Sequence, residues 1–244
     1  NKNSEIIFKN ISFGYHPDRL IIKNLSFKLT KGKSLAIVGP TGAGKSTISK
    51  LLFRFYDPLY GEILINNNNI KDYKQLDLRK IIGIVPQDTV LFNDTIYYNI
   101  SYGKPNATNE EIINASKIAG IHDFIESIPD KYNTLVGERG LKLSGGEKQR
   151  VAIARTVLKN PSVYFFDEAT SALDSATEKE IIKNLESISK HKTTLIIAHR
   201  LSTVSNADNI IVINHGAIVE SGKHEELLKL NGLYAEMWNK QKHS

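Results

Sequence analysis

The chain has 244 residues, 41% of them hydrophobic and 24% charged, which is enough for one large domain or a domain with a subdomain and fits neither a disordered segment nor a mini-protein. Lys and Arg number 32 against 26 Asp and Glu, but the lysines are scattered without a block of five or six, so the net charge of +6 reads as a solvated basic surface rather than a nucleic-acid patch. The absence of cysteine excludes disulfides and Cys-ligated zinc, so any metal is expected to be oxygen-bound. No apolar run approaches the ~20 residues that span a bilayer. The single methionine is Met237, so Asn1 is expected to mark a cut from a longer polypeptide or a processed form.

In chain order, short strands are expected at 5–11, 20–22 and 26–29, broken by Gly14, Pro17, Asp18 and Gly32, which suggests an antiparallel layer. Ser34–Val38 reads as a buried strand, and it runs into Gly39, Pro40, Thr41, Gly42, Ala43, Gly44, Lys45 and Ser46, followed by Thr47 in a helix over 46–53. The pattern G-x-x-x-x-G-K-[ST] between strand and helix builds a loop whose backbone N–H groups wrap phosphate at a positive helix N-terminus. In that geometry Lys45 reaches the β- and γ-phosphate oxygens and Ser46 ligates Mg2+. The pattern therefore predicts a nucleotide site.

A strand at 62–65 leads into the asparagine run 66–69, read as a hairpin turn, and another strand is expected at 80–85. Residues of about 90–160 look like a helical insertion, with helices at 108–119 and His122–Ser127. Beyond Pro161, strands at 162–166, 193–198 and 209–213 alternate with a helix at 176–187, which implies a mostly parallel, two-sided sheet. The expected class is α/β, in one domain with two lobes.

Ser144, Gly145, Gly146 and Glu147 precede a helix with apolar Val151, Ala154 and Leu158, and Ser144 with Glu147 makes a capping box. Alone this is an ordinary capped helix. Its order lifts it, because an apolar strand ending in the adjacent carboxylates Asp167 and Glu168 follows Pro161. That is a Walker-B arrangement, in which Asp167 holds Mg2+ through its water shell and Glu168 accepts a proton from, or orients, the attacking water.

With these motifs in this order, almost the whole chain resembles the nucleotide-binding domain of ATP-binding-cassette (ABC) transporters. The resemblance implies a P-loop NTPase core of the ABC ATPase type, with an antiparallel β subdomain and a helical subdomain, over residues 1–244, the membrane domain being absent. It implies that Tyr15 stacks on adenine, although an isolated tyrosine is more often a packing residue. Gln87 matches the Q-loop glutamine that contacts Mg2+ and the attacking water, residues 143–147 match the signature motif, Ser171 to Asp174 match the D-loop, and His199 matches the switch histidine on the γ-phosphate. The catalytic set so implied is Lys45, Gln87, Glu168 and His199, and the ligands are ATP and Mg2+.

The segments 134–140 and 82–96 are similar to exporters, in particular to half-transporters of the mitochondrial and heavy-metal-tolerance branch, some named multidrug-resistance proteins. The partners implied are a second nucleotide-binding domain, which closes its signature over the first domain's ATP, and the transmembrane domains of the parent polypeptide. The implied location is the cytosolic or mitochondrial-matrix side of a membrane transporter. A soluble cassette ATPase acting on DNA ends or ribosomes usually carries long coiled coils or two cassettes in one chain, neither of which is present here, and no nucleic-acid partner is expected. A weakly hydrolysing regulatory module is disfavoured by Glu168 and His199.

Overall fold

The computed structural model describes residues 3–140, 142–169 and 175–242. Its elements are β1 (Ile6–Phe13), β2 (Ile22–Leu29), β3 (Ser34–Val38), α1 (Lys45–Leu52), β4 (Tyr60–Ile65), β5 (Asn68–Asn69), α2 (Gln75–Ile81), β6 (Ile82–Val85), α3 (Ile96–Ser101), α4 (Asn109–Ile118) and α5 (His122–Ser127). They continue with α6 (Gly145–Lys159), β7 (Val163–Asp167), α7 (Ser175–Ser189), β8 (Thr193–Ile197), β9 (Asn209–Asn214), β10 (Ala217–Gly222), α8 (His224–Lys229) and α9 (Leu233–Lys242). The chain divides into two compact units, one of residues 1–82, 162–168 and 191–244 and the other of 83–161 and 169–190.

In the first unit, β2, β1, β4 and β5 form an antiparallel sheet in that order. Apolar side chains recur on one face of β2 at Ile22, Leu25, Phe27 and Leu29, all buried. Phe8 and Phe27 are register partners, and their rings stack at 4.3 Å. Each such buried side chain contributes roughly 1.5–3 kcal/mol before chain entropy is subtracted. The two short strands expected at 20–22 and 26–29 are one strand, because a register shift between Leu25 and Ile22, with Asn24 at φ 47°, absorbs the break without ending the pairing. The asparagine run closes a two-residue hairpin: Ile65 pairs with Asn68, and Asn66 and Asn67 both take positive φ, as a type I′ turn requires.

The second sheet of this unit has the order β10-β9-β3-β8-β7, parallel from β9 to β7 and antiparallel at β10. Strand alternation buries both faces. Leu35 and Ile37 of β3, with Ile211 and Ile213 of β9, join the core shared with β1 and β2, whereas Ala36, Val38, Ile210 and Val212 pack with Leu201, Val204, Leu227 and Tyr234. Such two-sided burial is what makes these strands read as continuous apolar runs.

The strand expected over 80–85 starts two residues later. Lys80 and Ile81 close α2, whose last turn carries Arg79 and Lys80, cations favoured at a helix C-terminus. In the second unit, α6 packs with α3, α4 and α7. Fully buried Asn99 donates through Nδ2 to Phe92 O at 3.0 Å and Thr95 O at 2.9 Å, and Arg155 Nε donates to Asn99 O at 2.7 Å. No helix among the described residues is long and apolar enough to cross a membrane.

Candidate functional site

The loop between β3 and α1 forms one wall of an open cleft of about 280 Å3 in the first unit, lined by Ile21, Thr41, Gly42, Gly44, Lys45, Ser46, Thr47, Glu168 and His199. Two glycines make the loop possible. At Gly39, φ is +155° and a Cβ would lie 2.1 Å from Ile213 O; at Gly44, the N-cap of α1, φ is +106°. A side chain is sterically excluded at the first and strained at the second. No side chain caps α1. Thr47 N–H donates to Gly44 O at 3.0 Å, and the Lys45 and Ser46 N–H groups ahead of it are left to the cleft.

Lys45 is 4% exposed, and its Nζ donates to Gly39 O at 2.7 Å and Pro40 O at 3.0 Å, so its ammonium is folded back over the loop. Burial lowers its pKa, and the nearby Glu168 carboxylate acts in the opposite direction. An anion in the cleft offers this ammonium the charge partner that two neutral carbonyls replace only in part.

Glu168 and His199 follow the C-terminal ends of the parallel neighbours β7 and β8, where Asp167 pairs with Ile197. Their side chains meet at 2.9 Å, Glu168 Oε1 to His199 Nε2. Glu168 has φ 49°, a conformation costing a non-glycine residue roughly 1–2 kcal/mol, and is held there by its N–H donating to Ile197 O at 2.9 Å. Such strain concentrates at functional sites. Beside it, burial first and the Glu168 charge second push the Asp167 carboxyl up to about 6.

Tyr15 is 46% exposed, with its ring edge-on to Phe13 and Tyr56, each at 5.3 Å. Lys50 of α1 donates to the Tyr15 hydroxyl at 3.0 Å, which ties this ring to the helix that follows the phosphate loop. Sequence reading missed Lys50 and the cleft-lining Ile21; neither carries a motif, since each is placed by its neighbours in space.

The second unit carries the remaining expected residues. Gln87 is exposed and, with Asp88, Thr89, Gly145, Lys148, Gln149 and Ala169, lines a cleft of about 190 Å3. Gln149, 3% exposed, fastens this segment to α6: its Nε2 donates to Pro86 O at 3.0 Å, and Thr89 Oγ1 donates to its Oε1 at 2.7 Å. The capping box is present, with Ser144 N–H donating to Glu147 Oε2 at 2.7 Å and Glu147 N–H to Ser144 Oγ at 3.3 Å. Gly146 has no room for a Cβ, which would lie 2.5 Å from Thr177 Cγ2. The expected D-loop, Ser171 to Asp174, lies outside the described residues.

A family model described as "ABC transporter" matches residues 22–171. Among curated relatives, an ATM1-type heavy metal exporter of Novosphingobium aromaticivorans is 56% identical over 97% of this chain and 39% of its own length. The mitochondrial iron-sulfur clusters transporter atm1 of Aspergillus fumigatus is 54% identical over 100% of this chain and 34% of its own. Among solved structures, a bacterial Atm1-family ABC exporter with ATP bound superposes with a TM-score of 0.93 at 55% identity, covering 98% of this chain and 42% of that one. The chain thus spans about a third to two-fifths of the length of the relatives it matches.

Proposed function

Because the chain belongs to the ABC transporter family, as its nucleotide-binding ATPase domain, we propose that it powers an Atm1-type exporter by binding ATP between two such domains. The observation that carries the reading is the Glu168–His199 contact of 2.9 Å at the mouth of the phosphate loop, beside buried Lys45.

In this reading the N–H groups of Gly42, Gly44, Lys45 and Ser46 cradle the phosphates, with Gly39, Pro40, Thr41 and Ala43 shaping the turn and Thr47 lining the cleft. Lys45 leaves the carbonyls of Gly39 and Pro40 for the β- and γ-phosphate oxygens, while the exposed Tyr15 ring offers adenine an apolar face. His199 exchanges Glu168 for the γ-phosphate. That exchange frees the Glu168 carboxylate to take a proton from, or orient, the attacking water, with Gln87 as a further contact to that water.

Ser46 and Asp167 offer oxygen donors only, and among the described residues no group of three His, Cys, Asp or Glu forms a metal site of its own. This donor set fits Mg2+, which keeps several waters and binds through few protein oxygens plus substrate phosphates. Bound there, Mg2+ would supply charge neutralisation at the phosphates, held by Ser46, Asp167 and Gln87. Asp167, with its carboxyl lifted to about 6, is a group whose ionised form a dication would favour.

Ser144, Gly145, Gly146 and Glu147 would close, at the α6 N-terminus, over the ATP held by a second domain, and Asp174 would lie at the same junction. Transmembrane domains of the parent polypeptide would complete the transporter, with this domain on the cytosolic or mitochondrial-matrix side. The relatives' names support cargo of the heavy-metal or iron–sulfur kind; multidrug resistance is not in those names and is not proposed.

Phosphate release by the parent chain, Glu168→Gln and His199→Ala tests the reading. ATP hydrolysis that collapses in both variants while ATP still binds supports it. Parent-level turnover in either would remove that residue from the site.

A further inference from the structure

The C-terminal helix α9 ends against the backbone that carries His199. Gln241 uses both ends of its carboxamide there: Nε2 donates to His199 O at 2.6 Å, and Leu201 N–H donates to Oε1 at 2.8 Å. The partners fix the sense of the amide, since a flipped group would set oxygen against oxygen and N–H against N–H. The two bonds bracket Arg200. They hold the peptide on the C-terminal side of His199, and with it the direction in which the His199 side chain leaves the backbone.

The helix that delivers Gln241 is itself built in at its other end. Glu220 of β10 accepts from Leu233 N–H at 2.5 Å and Tyr234 N–H at 3.2 Å, capping α9. Tyr234 is fully buried, its hydroxyl 2.7 Å from His224 Nδ1. Leu233, Met237 and Trp238 pack on the core that includes Leu201 and Val204, the residues just past His199. From Leu233 to Gln241 the helix rises about 12 Å. A side chain on so anchored a helix loses little further freedom in making its bonds, so an exposed amide can still hold a preferred geometry.

We propose that Gln241 is a positioning residue for turnover, a clamp from α9 that holds the His199 backbone so that the imidazole reaches the cleft. It touches neither substrate nor reacting atoms. The proposal rests on the reading that His199 acts at the cleft, and the test separates the two.

Phosphate release is measured on the full chain for Gln241→Ala, Gln241→Glu and the control Asn239→Ala, an exposed position on the same helix. Gln241→Ala should lower kcat about tenfold, the size expected for losing one to two ordinary hydrogen bonds. KM for ATP, ADP affinity and Tm should stay close to the parent's. Gln241→Glu keeps an acceptor for Leu201 N–H but turns an oxygen on the His199 carbonyl, so it should fall at least as far. Asn239→Ala should match the parent.

In a His199→Ala background, Gln241→Ala should cost nothing more, because the clamp has no imidazole left to aim. Parent-level kcat in Gln241→Ala, an equal loss in both backgrounds, or a kcat loss accompanied by a matching fall in Tm would overturn the proposal. If His199→Ala turns over like the parent, the reading of the cleft and the clamp fall together. If His199→Ala is impaired and Gln241→Ala is not, the clamp alone falls.

Discussion

Glu168 Oε1 and His199 Nε2 are 2.9 Å apart although 31 positions separate them in the chain, because each follows the end of one of two adjacent parallel strands. The pairing Asp167 with Ile197 sets both residues at one rim of the sheet, next to the phosphate loop that leaves β3 at the same end. This is where ligands bind in open parallel sheets, outside the carboxyl ends of the strands.

The contact gives Glu168→Gln a defined outcome. An amide still bonds His199 but cannot accept the water's proton, so turnover should fall by at least about 100-fold, in the range seen for lost general-base catalysis. ATP affinity should change only a few-fold, and an ATP-bound dimer should accumulate on size-exclusion chromatography. Near-parent phosphate release by the variant would take Glu168 out of the chemistry.

Asp167 should show a trade between stability and function. Its carboxyl titrates at about 6 in the folded chain against 3.8 ordinarily, so between those values the folded state binds more protons than the unfolded one. Stability of the nucleotide-free chain should therefore fall as pH rises from 4 to 6, with the cost complete above that window. Asp167→Asn removes the cost and should gain roughly 1–2 kcal/mol at pH 7.5, after allowance for partial exposure of the group. Its Tm should thus exceed the parent's while its Mg2+-dependent turnover collapses. An equal or lower Tm at pH 7.5, together with an equal Tm gap at pH 4.5, would contradict the burial account.

Much of the architecture was legible because two-sided burial leaves strands such as Ile210 to Ile213 as apolar runs and because caps such as Thr108 and Ser144 announce their helices. The short helices α2 and α3 were not. Length alone does not account for this, since α5, also of six residues, was expected at its observed bounds; α3 is placed by Thr95 capping Tyr98 N–H and by the buried Asn99 network. The candidate site divides in the same way: a glycine-rich loop has its own chemistry written in adjacent residues. The Lys50 bond to Tyr15 and the Gln241 clamp on His199 join residues 35 and 42 positions apart, and no local pattern marks them.

Tyr15 separates stacking from packing. Its ring is 46% exposed and meets Phe13 and Tyr56 edge-on, so Tyr15→Ala should cost the fold little yet weaken ATP binding by about tenfold, the lower part of the range for one base on an aromatic ring. Tyr15→Trp should retain affinity. Tyr15→Phe loses the Lys50 bond and keeps the ring, so its affinity should stay within a few-fold of the parent's. Equal calorimetric affinities for all variants would make Tyr15 a packing residue.

The proposed head-to-tail dimer makes a quantitative demand on mixtures. Lys45 serves the chain's own phosphate loop and Ser144 would serve the partner's ATP, so Lys45→Ala and Ser144→Arg should each be inactive alone, both composite sites being spoiled in a symmetric dimer. Ser144→Arg also loses the cap of α6, worth about 1 kcal/mol, so its Tm must be measured to show that it folds. In a mixed dimer both lesions fall in one site and leave the other wholly intact. With random mixing of equal amounts, half the dimers are mixed and each keeps one of two sites, which gives about a quarter of parent activity if the sites hydrolyse independently. Obligatory cooperation between the sites would lower that yield, and ATP-dependent dimerisation of the mixture, followed in parallel, distinguishes it from failure to assemble. Full activity of either variant by itself would end the shared-site arrangement, because a lesion confined to one partner's motif could not then be part of the other partner's site.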